Sequence, residues 1–231
     1  MKRLKTQVRR ALRTALLLHG GIAGAALPAP PLMEGAKAVA VGQSMRINGM
    51  PTSIHRFAID KPVDQVLAFY RTRFGKDRVE QSVLGWTVVA EAEGDYFFTV
   101  RLRPALQGTE GAVSVADLKQ GLAARGRPLG MVFPAGSRLI SDVDMDDPGK
   151  RGRVVSLINN LPPEANVQHF KNVLAARGFR VDRDLPAGKD AAGGRSLWFS
   201  ATGRDAILVV APLPNGTSVV LNTVDRRNTE K

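Results

Sequence analysis

No cysteine occurs among the 231 residues of the chain. That absence excludes disulfides, thiolate metal sites, a cysteine nucleophile and a lipid-bearing cysteine at once. Beyond residue 25 there is no run of 18 apolar residues, so nothing after the leader has the length to cross a bilayer as a helix. No serine sits in a Gly-x-Ser-x-Gly elbow, the turn that marks a hydroxyl nucleophile. Past the leader only His55 and His169 remain, neither with an acidic residue at ligand spacing. No residue is therefore assigned to catalysis, to a metal or to a cofactor.

Acidic residues are missing from the start of the chain until Glu34. Ahead of it lie Lys2, Arg3, Lys5, Arg9, Arg10 and Arg13, an apolar stretch, and the small residues Ala23-Gly24-Ala25. This is the pattern of a signal peptide over residues 1–25, cut between Ala25 and Ala26, and it places the mature chain in the periplasm or outside the cell. A retained leader would instead act as an anchor. The leader holds six of the 33 basic residues and none of the 21 acidic ones. The mature chain keeps 27 against 21, a net +6, with no block of like charge, which argues against a nucleic-acid partner and leaves a mild attraction to an anionic membrane surface.

What the chain does have is repetition. Trp86, Gly94-Asp95, Pro104 and Gln107-Gly108-Thr109 return as Trp198, Gly203, Asp205, Pro212 and Asn215-Gly216-Thr217. The stretch through Val66, Phe69 and Tyr70 returns at Val167 and Phe170, with Val66 and Val167 101 positions apart. That period is too long for a solenoid and reads as a duplicated unit.

Each copy has the same grammar. In the first, Met45–Ile47 and Ser53–Phe57 flank Asn48-Gly49 as a hairpin, with Pro51 predicting a longer or distorted turn. Asp60 is the expected helix cap, and Val63, Val66, Leu67, Tyr70 and Phe74 share one helical face. Strands follow over Arg78–Val83, Trp86–Ala92, Tyr96–Arg103 and Ala112–Ala116. In the second, a hairpin over residues 138–158 precedes a helix capped by Asn160 and striped by Val167, Phe170, Val173 and Leu174. Four more strands end near Val224.

The expected fold class is α+β: after the signal peptide, two tandem copies of a hairpin-helix-strands module, each with one helix packed on an antiparallel sheet. The boundaries are a linker over 26–43, a first module over 44–117, a helix and linker over 118–136, and a second module over 137–226. One helix cannot cover so broad a sheet. Either the two copies pack together or part of each sheet is left for a ligand or partner. Tyr96, Phe97 and Phe98 put aromatics on both faces of one strand, which predicts cover on both sides, the second module being one source of it.

Several patterns imitate chemistry. Asp142, Asp144 and Asp146 alternate like the start of a calcium loop, but Asp147 stands at its glycine position and Arg153 where it needs a bidentate Glu. A wet strand face entering a Pro-Gly turn accounts for them. The Gly-Thr pairs at 108–109 and 216–217 precede strands rather than helices, so they read as hairpin turns. Asn215-Gly216-Thr217 matches a glycosylation acceptor, a pattern common in turns.

The order of hairpin, helix and strands, given twice and carried by Pro62–Phe74 with Gly85-Trp86 and by Pro163–Leu174 with Gly178-Phe179, resembles the tandem helix-grip domains of the outer-membrane assembly lipoprotein BamC. The resemblance spans residues 44–225 and implies a non-enzymatic accessory role in the envelope, although the lipid-acceptor cysteine of that family is missing. The expected function is thus an exported, non-enzymatic protein that binds an envelope protein partner through a surface including Trp86, Tyr96, Phe98 and Trp198. A carrier of small ligands or lipids is the alternative, needing an apolar pocket bordered by Trp86 or Trp198 and the inner helix face. A hydrolase drawing on His55 or the Asp142–Asp147 run ranks behind both.

Overall fold

The computed structural model describes residues 26–42, 44–126, 129–186 and 193–226; the leader expected over residues 1–25 lies outside them. Strands β1 (Lys37–Ala40) and β2 (Ser44–Ile47) lead into β3 (Met50–Ile59), and α1 (Val63–Phe74) follows. A meander of β4 (Val79–Val83), β5 (Trp86–Glu93), β6 (Tyr96–Pro104) and β7 (Thr109–Asp117) then reaches the short α2 (Leu118–Ala123). After an irregular stretch come the hairpin β8 (Arg138–Asp147) and β9 (Lys150–Asn159), then α3 (Pro163–Ala175). The meander β10 (Arg180–Pro186), β11 (Arg195–Ala201), β12 (Arg204–Leu213) and β13 (Gly216–Arg226) ends the fold.

The expected pair of tandem helix-on-sheet modules does not form. All 13 strands of the described residues join one antiparallel sheet in the order β10-β11-β12-β13-β9-β8-β2-β3-β7-β6-β5-β4, with β1 also on β3. The cause lies at β2 and β8. Each would be an edge strand of its own half, with unpaired backbone groups, and each satisfies the other instead. Ser44–Ile47 pair with Asp146–Val143, Asn48 donates its amide to the Asp142 carbonyl at 2.7 Å, and Asp142 donates back to Asn48 Oδ1 at 2.9 Å. The repeat in the sequence is a repeat of strands within one sheet.

Both long helices lie on the same side of that sheet. Along β3, Phe57 under α1 shares its face with Pro51, which pairs with Arg46; Arg46 pairs with Asp144, and Asp144 with Arg153. Arg153 and Val155 share a face by strand alternation, and Val155 lies beneath α3. Two apolar clusters form there. Under α1 lie Val66, Leu67, Tyr70 and Phe74 against Phe57, Val100 and Val113; under α3 lie Val167, Phe170 and Leu174 against Leu157, Leu208 and Leu221. Both interfaces are closed by large side chains. Burial drives the Tyr70 hydroxyl pKa upward, so it stays a neutral phenol in the core.

The junctions between sheet and helices differ from expectation in an informative way. Neither Asp60 nor Asn160 caps its helix; Pro62 and Pro162 hold the cap positions without a side-chain bond. The strand entering beneath does the fastening. Thr109 Oγ1 donates to the Lys61 carbonyl at 2.7 Å and Thr217 Oγ1 to the Leu161 carbonyl at 2.6 Å, both from buried positions. The preceding glycines are needed for the close approach: at Gly108 a Cβ would fall on the Ile59 carbonyl oxygen, at Gly216 on that of Asn159, and both have positive φ. The Gly-Thr pairs are thus clamps as well as turn residues.

Three smaller expectations also change. Pro51 does not lengthen the first hairpin: Asn48 and Gly49, at φ 52° and 81°, make a two-residue turn closed by Ile47 and Met50. Pro51 then occupies a non-hydrogen-bonded position toward β2, and β3 meets β7 only from Thr52 onward, so no ladder bond needs its missing N–H. Part of the expected linker over 26–43 is structured, since Lys37–Ala40 pair with β3 and Leu32, Met33 and Ala36 pack on the α1 cluster. The stretch expected to separate the halves is likewise fastened: Asp117 caps α2, Arg153 and His169 bond the Leu129 and Val132 carbonyls, and Met131 and Phe133 pack on the α3 cluster.

Candidate functional site on the face opposite the long helices

Strand alternation leaves one face of the sheet without α1 or α3; α2 sits at its rim, where Gly121 abuts Met50. Apolar side chains stand in solvent there: Val39 is 72% exposed, Phe97 38% and Ile207 37%. Phe97 corrects one expectation directly. Its neighbour Phe98 is buried beneath α1, 6.2 Å from the Phe74 ring, but the second half of the molecule does not cover Phe97.

The four candidate surface residues therefore separate. Phe98 is core, and Tyr96 packs at the margin of the same cluster on the helix side. Trp86 and Trp198 lie on the open face, half-buried. The two tryptophans are not equivalent, however. Pro104 pairs with Thr109 as Pro212 pairs with Thr217, so β6 and β12 correspond at an offset of 108; Trp198 opposes Ile207, and its counterpart is Ala90, opposite Thr99. Trp86 corresponds to Gly194. Both tryptophans also point away from the helices, so neither borders a pocket against a helix's inner face.

Around Trp86 the open face is hollowed into a cleft of about 720 Å³. The register explains its shape. One row across the strands reads Lys37, Ala58, Glu110 and Arg103 with Trp86 beside it; the next reads Val39, Arg56, Ala112, Arg101 and Val88. Ala58 and Ala112 form a low floor, and the larger side chains of β1, β5 and β6 form the walls. The guanidinium carbons of Arg103 and Arg101 lie 4.3 and 4.9 Å from the Trp86 ring centre, a cation–π arrangement that holds both side chains upright. Arg103 is also paired with Glu110. Among the described residues Lys37, Arg56 and Arg101 form no ion pair, so the cleft carries positive charge beyond what Glu110 offsets.

The other polar centre is the seam. Asp142 is held bidentately by Arg153 at 2.8 and 2.9 Å, and Asp144 by Arg151 at 3.0 and 2.5 Å. The Arg151 hydrogen bond holds the Asp144 carboxyl below the usual carboxylate range. The aspartates lie on a strand that enters the Pro148-Gly149 turn, and Arg153, at the position where a calcium loop needs Glu, neutralises the first of them. Neither histidine joins this cluster by a hydrogen bond: His169 Nε2 lies 3.0 Å from the Val132 carbonyl, and His55 Nδ1 is buried without a partner. Asn215 lies in the β12–β13 turn, but Thr217 is buried with its hydroxyl committed to Leu161, leaving the acceptor pattern a structural turn.

Sequence reasoning reached Trp86 and missed Arg56, Arg101 and Arg103, which look like ordinary wet-face residues alternating with core ones. The available signal was their disappearance from the second copy. No described helix is long and apolar enough to cross a membrane. No family model matches the chain, and neither a curated protein nor a solved structure matches it.

Proposed function

We propose that this is an exported, non-enzymatic envelope protein that binds a protein partner across the sheet face opposite α1 and α3. The observation that carries the reading is that face: it spans the sheet and presents Val39, Phe97 and Ile207 to water while both long helices lie behind it. Apolar side chains set in water along a sheet face that no long helix covers fit a surface that meets a partner. The closed helix–sheet interfaces support a binding role over a carrier role, since the space a carrier would load is filled by Tyr70, Phe74, Phe170 and Leu174. The export assignment rests on the leader pattern of residues 1–25.

The test is photo-cross-linking in cells that make the full chain. Benzoylphenylalanine at Phe97 or Val209, on the open face, is expected to yield a discrete protein adduct. The same probe at Thr72 or Asn172, on the outer side of the helices, is expected to yield none. Adducts from both sets alike, or from neither, would refute the reading; a hydrophobic small molecule co-purifying in place of a protein would favour a carrier.

A further inference from the structure

We propose that the Trp86 cleft is the docking site for an acidic, partly apolar segment of the protein partner; this rests on the partner-binding reading above and assigns its anchor point. Two independent features of the cleft point to that chemistry. The first is charge. Among the described residues Lys37, Arg56 and Arg101 form no ion pair, and Glu110, the one acid lining the cleft, is taken up by Arg103; Arg71, Arg151 and Arg226, by contrast, are matched to Glu80, Asp144 and Asp205. Unmatched cations gathered on one concave surface attract carboxylates and reject cationic partners. Arg101 is also held in place: its guanidinium carbon lies 4.9 Å from the Trp86 ring centre, and a guanidinium fixed by an aromatic ring can take a carboxylate in bidentate fashion.

The second feature is the floor. Ala58 and Ala112 leave a recess between the walls, and Ala112 is itself buried. Beside it stand the exposed Val39 and the ring of Trp86. An occupant must therefore carry apolar side chains between its acids. A flat anionic membrane cannot enter a recess floored by alanine. A nucleic acid would find the basic patch ending at β3, because the face continues over β9, β12 and β13 with Ser156, Val209 and Val220. Along the strands this site differs from its own repeat: Arg56, Arg101, Arg103, Ala58 and Ala112 correspond to Ser156, Val209, Ala211, Ile158 and Val220. At these positions of the second half the cations are gone and the recess is filled.

The test uses the full chain as recovered from expressing cells and measures fluorescence anisotropy of a labelled peptide of about a dozen residues alternating Glu and Leu. It is expected to bind about 10-fold more tightly than the Gln/Leu peptide and to weaken with added salt. The double variant Arg56→Gln/Arg101→Gln, at exposed positions that the core does not use, is expected to lower affinity about 10-fold, the sum of two solvated ion pairs. Asn172→Ser, on the outer side of α3, is expected to leave it unchanged. Equal binding of the two peptides, full affinity in the double variant, or tighter binding of oligo-dT or of phosphatidylglycerol vesicles would each overturn the proposal. A benzoylphenylalanine probe at Val39 separates the two readings. If Val209 captures a protein while Val39 and the peptide are inert, the docking site falls and the partner-binding role stands; if no open-face probe captures one, both fall.

Discussion

The two halves of the sheet match residue by residue on the side that holds the helices and part company on the other. From β3 through α1, matched to β9 through α3, the offset is a constant 100: Leu67 corresponds to Val167, Tyr70 to Phe170, Phe74 to Leu174, and the carbonyls of Lys61 and Leu161 receive the same threonine bond. The spacing of 101 that aligns Val66 with Val167 is off by one; Val66 faces the role of Asn166. On the open side, in contrast, a basic recess in one half has, at the matching positions of the other, a filled surface of Ser156, Ile158, Val209, Ala211 and Val220. Packing tolerates few replacements, so the enclosed side keeps its pattern. The open side has no such packing to satisfy and is free to diverge.

The comparison is broken most violently at the clamps. Gly108→Ala is expected to cost more than about 3 kcal/mol, because a backbone oxygen cannot yield and φ is positive there. Gly216→Ala should cost a similar amount. Urea unfolding checks both, and because one sheet spans the molecule either variant should move a single transition without splitting it. Two separate transitions would mean that the halves stand alone energetically.

The next test exploits a place where the enclosed side exchanges an apolar pair for a polar one. Ile59 and Val66 in the first half are Asn159 and Asn166 in the second, and those buried amides bond each other at 2.7 and 3.0 Å. Asn159→Ile or Asn166→Val alone leaves a buried amide short of a partner and is expected to cost about 2–3 kcal/mol. Making both changes restores the apolar pair of the first half, and the double variant should cost about 1 kcal/mol less than the sum of the singles or better still. Additive losses in the thermodynamic cycle would show that the two positions are not a coupled pair. Ser137 and the Leu161 amide, which also bond Asn159, set the residual cost.

The smallest effect is electrostatic. In each half a cation on the helix reaches the outermost meander strands: Arg71 meets Glu80 at 2.6 Å, and Lys171 meets Asp184 at 2.9 Å with Arg195 adding a second contact. For Asp184 burial pushes the pKa up, but the hydrogen bonds from Lys171 and Arg195 outweigh it and hold the carboxyl below its ordinary value. A carboxylate so depressed contributes stability above its unfolded pKa of about 3.9 and loses that contribution as pH falls through the folded value. Asp184→Asn should thus reduce the loss of thermal stability between about pH 5 and strongly acid solution. Glu80→Gln, at the more exposed of the two pairs, should change it less. Equal slopes for the two variants would deny the difference in surroundings.

Local patterns carried much of this architecture into view. Alternation flanking Asn48-Gly49, the apolar stripe of α1 and the turns at Gly94 and Gly203 mark their elements because each is decided by neighbours in the chain. The merger of the halves is not marked in that way. Arg46, Asp142 and Asp144 look like the wet margin of a strand, and nothing local says that the margin of one strand satisfies that of another about a hundred residues on. The candidate site was half visible for the same reason. Trp86 stands out by its rarity, whereas Arg56, Arg101 and Arg103 acquire meaning only when the register of β3, β6 and β7 sets them side by side. Phe97 was read as covered, and its exposure is the more useful result.

At the seam, Met45 pairs with Met145, and these are the same position in the two copies. Such self-facing residues mark a local dyad, the arrangement by which two identical chains would associate. Here the partners are tethered, so their encounter does not depend on how many molecules are present. A handful of backbone bonds that could not hold free subunits together in dilute solution can keep this seam closed, and dilution should not open it.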